Sequence, residues 1–91
     1  MMSEHSKTKT SFYRRLYVAW LIVQGSNTVP KIIEATGMPR RTAQDTLAAI
    51  HELDIVLENN GGVYRVENWG AVNHQWVDAN VQTIKTVLEY P

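Results

Sequence analysis

Ninety-one residues with 44% hydrophobic and 20% charged side chains describe one small domain, and the absence of cysteine excludes disulfides and thiolate metal sites. Nine basic and nine acidic groups cancel to a formal net charge of zero, which argues against a strongly electrostatic nucleic-acid binder. Residues 1–11 are polar and the apolar run Leu16 to Val23 is too short to span a bilayer, so no membrane association is expected and the setting is expected to be cytoplasmic. The zero hides an asymmetry. Residues 1–50 carry seven basic and three acidic groups (+4), whereas residues 51–91 carry two basic and six acidic groups (−4).

Residues 1–9 read as a flexible polar leader. Thr10 or Ser11 is the expected cap of a first helix running from Phe12 to about Gln24, broken by Gly25-Ser26-Asn27. Phe12, Leu16, Ala19 and Val23 form one apolar stripe on it; Tyr13, Tyr17, Trp20 and Leu21 form another. A helix apolar nearly all round is covered on two sides. Thr28-Val29 precedes Pro30, which pushes the backbone towards extended geometry and predicts one short strand.

The stretch from Lys31 to Leu53 carries the most information. Ile32, Ile33 and Ala35 belong to a helix that stops at Thr36-Gly37, where glycine supplies the left-handed conformation. Met38 is placed to plug the turn, and Pro39 sits where a new helix begins. Over residues 39–53, Ala43, Leu47, Ile50 and Leu53 recur at helical spacing on an inner face, while Arg40, Arg41, Gln44 and Asp45 occupy the opposite face. Two helices about a tight turn, the second with a basic start, have the layout of a helix-turn-helix.

The pattern then changes to period two. Residues 55–58 and 63–67 flank Asn59-Asn60-Gly61-Gly62, which predicts a β-hairpin in the position of a wing, ended by Trp69-Gly70. A last helix is expected from about Asn73 to Tyr90, with Val77, Val81, Ile84 and Leu88 as its apolar stripe. Two readings of that stripe stay open: it covers the first helix within one chain, or it joins Tyr13 and Tyr17 in a homodimer interface. The expected organisation is therefore a leader (1–9), a helix-turn-helix domain with its wing (10–70) and a C-terminal helix (71–91).

Ala35 to Ala43, with Leu47, Ile50, Leu53, Asp54, Ile55 and Val56 downstream, resembles the core of winged helix-turn-helix regulators of the isocitrate-lyase-regulator and multiple-antibiotic-resistance-regulator type. Over roughly residues 12–67 the chain is most similar to small bacterial winged-helix proteins described as DNA-binding. The resemblance implies an α+β, mainly helical fold with a three-helix core, a hairpin wing and an added C-terminal helix. It implies a transcriptional regulator that binds double-stranded DNA as a homodimer, with Arg40, Arg41 and Gln44 in the major groove. Arginine and glutamine suit that task, being able to contact guanine and adenine in bidentate fashion. Thr42 matches a threonine that touches backbone phosphate; Lys31 is near enough for another phosphate, and Arg65, Asn59 and Asn60 of the wing for the minor groove. Two positions depart from the pattern. Asp54 stands where glycine is usual, and Asp45 puts a carboxylate on the exposed face, to pair with Arg41 or to accept from a cytosine amino group.

His5, His51 and His74 lack metal-ligand spacing, and no nucleophile–base or phosphate-loop motif occurs, so neither a catalytic residue nor a metal or other cofactor is expected. Trp20, Trp69 and Trp76 read as core rather than a ligand cage, and no small-molecule ligand is inferred. The competing function is a winged helix that binds another protein, to which the acidic second half is suited.

Overall fold

The computed structural model describes residues 5–91. Its first helix, α1 (Lys7–Val23), begins one turn earlier than the sequence predicts, because Ser6 rather than Thr10 or Ser11 provides the cap: its hydroxyl accepts from the Lys9 amide at 3.0 Å. Thr10 donates its hydroxyl to the Ser6 and Lys7 carbonyls, and the Lys9 ammonium lies 5.3 Å from the Tyr13 ring centre. Part of the expected leader is thus helical; residues 1–4 lie outside the described chain. Leu16 to Ala19, Leu21 and Ile22 are all buried, so the middle of α1 is central to the fold, whereas Phe12 and Val23, the ends of the first expected stripe, are exposed.

On one side of α1 lie α2 (Val29–Thr36) and α3 (Arg40–Ala49). The strand expected at Thr28-Val29 is absent because Thr28 is spent as the α2 N-cap, accepting from the Lys31 amide at 3.3 Å. What remains of it is one backbone link, from the Tyr64 amide to the Asn27 carbonyl at 2.8 Å. Gly37 closes α2 at φ 76°, and Thr36 holds the turn by donating to Ile32 O and accepting from the Met38 amide. Met38 is buried there as the plug its position indicates. The second helix is shorter than residues 39–53: α3 ends at Ala49, and Ile50–Leu53 tighten into a 3-10 turn. Asp54 stops that turn in the left-handed region at φ 62°, its amide donating to His51 O. Asp54→Gly should therefore fold at least as stably as the parent, whereas Asp54→Val should cost about 1–2 kcal/mol, read as a fall in the thermal midpoint.

The wing is an antiparallel pair, β1 (Val56–Asn60) and β2 (Val63–Asn68), joined by Gly61-Gly62. Both glycines have positive φ, as a two-residue turn matched to strand twist requires. Half-buried Leu57, Tyr64 and Val66 turn one face of the hairpin towards the core.

The other side of α1 is covered by α4 (His74–Ala79) and α5 (Val81–Leu88) rather than by one helix from Asn73 to Tyr90. The break is at Asn80, whose side-chain amide donates to Trp76 O at 2.8 Å and whose backbone leaves helical geometry. Val77 and Ile84, either side of it, are 1% and 0% exposed, and Tyr17 of α1 is 3% exposed. Val81, Leu88 and Tyr13 are half-buried against the same core. These six residues are thus used within one chain, and their burial requires no second copy. The chain end folds back too: the Tyr90 ring lies 5.8 Å from Tyr17, whose hydroxyl is pushed up in pKa by burial first and by Tyr90 second. Among the described residues no helix is long and apolar enough to cross a membrane.

Candidate nucleic-acid interface

The recognition face of α3 is set by its own periodicity. Ala43, Leu47 and Ile50 are buried, which leaves Arg40, Arg41, Gln44 and Asp45 facing solvent together. Arg41 and Asp45 approach to 3.7 Å with side chains 89% and 72% exposed, so the pairing expected from their spacing forms but contributes at most about 0.5 kcal/mol. Pro39 caps α3 without a side-chain hydrogen bond, and the first turn holds no acidic residue. Two arginines at a helix N-terminus run against the helix dipole. Exposed and weakly held, they have side chains free to reorganise onto a ligand.

Thr42 is half-buried and its carbonyl accepts from the Thr46 hydroxyl at 2.7 Å, which fixes it on the flank of α3. Lys31 is exposed at the start of α2. In the wing, Asn60 is exposed and Asn59 is spent on the turn, accepting from the Gly62 amide at 2.9 Å.

Arg65 is exposed on the wing and ion-paired within it. Strand register sets Glu58 directly opposite it, and Glu67 lies two residues on along the same face. Its guanidinium donates twice to Glu58, at 3.1 and 2.7 Å, and also to Glu67. The Glu58 hydrogen bond, followed by the charges of Glu58 and Glu67, raises the Arg65 pKa further. The one cation of the hairpin is thus neutralised by two carboxylates. The wing as a whole carries net negative charge.

A second basic surface lies beside α3. Ser11, Arg14 and Arg15 of α1 line a cleft of about 350 Å³ whose other wall is Thr42, Asp45, Thr46 and Ala49 of α3. Arg15 pairs with Glu52 at 3.4 Å, and Arg14 donates from Nε to the Tyr90 hydroxyl at 3.4 Å. The cue was present in the sequence: Lys7, Ser11, Arg14 and Arg15 fall at i, i+4, i+7 and i+8, one helical face.

Among the described residues no three His, Asp or Glu groups converge as metal ligands. His51 contacts Ala48 O at 2.7 Å through Nδ1, and His74 stacks on Trp69.

The profile of a family described as winged helix-turn helix matches residues 7–88. The chain belongs to that family. It is also similar to a DUF2131 family protein from Shewanella amazonensis SB2B, known from a crystal structure, at 33% identity and a TM-score of 0.88 over 94% of this chain and 96% of that one. No curated protein matches the sequence. For a winged helix-turn-helix domain with an exposed basic start to its second motif helix, nucleic acid is the partner the fold suggests.

Proposed function

We propose that this winged helix-turn-helix protein binds double-stranded DNA sequence-specifically, as a bacterial transcriptional regulator in the cytoplasm that reads the major groove through α3. The observation that carries this reading is the joint exposure of Arg40, Arg41 and Gln44 on one face of a helix whose other face is buried. Arg40 and Arg41 contact guanine edges and Gln44 an adenine; Thr42, Lys31 and Asn60 are positioning contacts to the backbone, which carry no sequence information. Nothing in this mechanism calls for catalysis, a cofactor or a small molecule. One helix-turn-helix reads only a short half-site, so a two-half-site operator takes a homodimer of two copies. Their mutual contact does not draw on Val77, Ile84 or Tyr17, which each chain buries for itself.

Repeated rounds of selection from a random duplex pool test the proposal. The expected result is enrichment of one short motif carrying guanine and adenine at neighbouring positions; a pool that stays random contradicts it. Asp45 faces the same groove, and its carboxylate repels phosphate with only an exposed arginine to offset it. Asp45→Asn is therefore expected to tighten binding to unselected duplex several-fold, measured by anisotropy at constant salt.

The carboxylates of the wing favour a second reading, in which the domain docks on a protein. In that case Arg40 and Arg41 meet acidic side chains, and no duplex competes.

A further inference from the structure

The helix richest in positive charge is not α3. Its sequence, Arg40–Ala49, holds two arginines and one aspartate, whereas α1 holds Lys7, Lys9, Arg14 and Arg15 and no carboxylate. Three of those four cations share one face. Lys7, Thr8, Ser11, Phe12 and Arg15 line an open groove of about 420 Å³, and Ser11 and Arg15 continue into the cleft between α1 and α3. Sharing Ser11 and Arg15, the two hollows adjoin, and together they make a channel that runs from the first turn of α1 into the α1–α3 cleft, lined by Lys7, Thr8, Ser11, Arg14, Arg15 and Thr42.

We infer that this channel is a binding surface for the DNA backbone: α1 grips phosphates of one strand through Lys7, Arg14 and Arg15 while α3 enters the adjacent groove. The inference rests on the DNA-binding function proposed above and adds a phosphate-holding surface to it. At 1.5 Å rise per residue, Lys7 and Arg15 stand about 12 Å apart along α1. Successive phosphates of one strand advance roughly 3.4 Å along the duplex axis, so the two ends of the strip are far enough apart to hold different phosphates. Glu52 does not remove Arg15 from the surface, because a guanidinium has five donors and can hold a carboxylate and a phosphate together. Asp45, on the α3 wall, is the opposing charge. Arg41, 3.7 Å from it, offsets part of that charge. The acidic wing fits the same picture, since the backbone contact that basic wings supply elsewhere has to come from another element here.

The test compares parent, Lys7→Gln and Lys7→Gln/Arg15→Gln in anisotropy titrations against a fluorescent duplex over a range of salt. Circular dichroism confirms the fold of each variant, and Lys7→Gln, an exposed first-turn change, keeps the experiment decisive if the double variant unfolds. Each removed contact is expected to lower the slope of log affinity against log salt by about 0.9, and the pair to weaken binding about tenfold at near-physiological salt. Sequence preference is expected to stay the same, because phosphate contacts do not read bases. Unchanged affinity and slope, in a parent that binds duplex with Arg40- and Arg41-dependent preference, would overturn the channel and leave the recognition helix standing. A parent that binds no duplex at any salt overturns both.

Discussion

Replacing Arg40 and Arg41 together by alanine should abolish sequence preference while leaving the fold intact. Each arginine in bidentate contact with guanine is worth about 1–3 kcal/mol of discrimination, so losing both should erase at least about thirtyfold of preference for the selected motif over random duplex. The fold should not notice, because both side chains are exposed and Arg41 has only its weak tie to Asp45. Surface changes of this kind usually stay within about 0.5 kcal/mol. Residual binding should also become less salt-dependent, as some of the lost charge had faced phosphate. Competition between motif and scrambled duplexes measures the first effect and thermal unfolding the second. A variant that unfolds, or that keeps its preference, would show that the two arginines serve the structure rather than the groove.

The largest stability effect is expected at Gly70, which is not among the proposed DNA contacts. Gly70 has φ 59°, and a β-carbon there would overlap the Asp54 carbonyl and stand 2.8 Å from the Ile55 amide nitrogen. Backbone atoms cannot swing aside as a flexible side chain can. The neighbouring Ala71 amide also donates to Leu53 O at 3.1 Å, so the chain leaving the wing is clamped against the end of the recognition segment. Gly70→Ala should cost about 2–4 kcal/mol, combining left-handed strain with overlap. In a domain of this size that is a fall of roughly 10–25 °C in the thermal midpoint. Gly37→Ala is the control: its φ is 76° but nothing lies within 4 Å of the added carbon, so only the conformational cost of about 1–2 kcal/mol applies. Equal losses at the two positions would refute the packing explanation.

The parts legible in the sequence were those governed by local periodicity and turn chemistry. Gly37, Met38 and Pro39 mark the turn between α2 and α3, and the spacing of Ala43, Leu47 and Ile50 marks the buried face. Asn59 to Gly62 mark the hairpin in the same way. Features that depend on what packs or pairs across the fold were not legible. The Val77, Val81, Ile84, Leu88 stripe runs straight through Asn80, so its spacing could not reveal a break made by one asparagine side chain. The neutralisation of Arg65 depends on the register that sets Glu58 opposite it. The early start of α1 depends on Ser6 capping a polar turn that has no apolar rhythm to announce it. Arg14 and Arg15 became part of the candidate interface only when tertiary packing laid α1 alongside α3.

Whether this domain holds DNA through its basic helices, despite a net charge of zero, is read from the salt dependence of binding. The measurement is an anisotropy titration of the purified protein against a labelled pool of duplex fragments, from low to near-physiological salt. The predicted result is saturable binding whose log affinity falls linearly with log salt, at about 0.9 per phosphate engaged. No binding at the lowest salt, or binding that salt leaves unchanged, would contradict it.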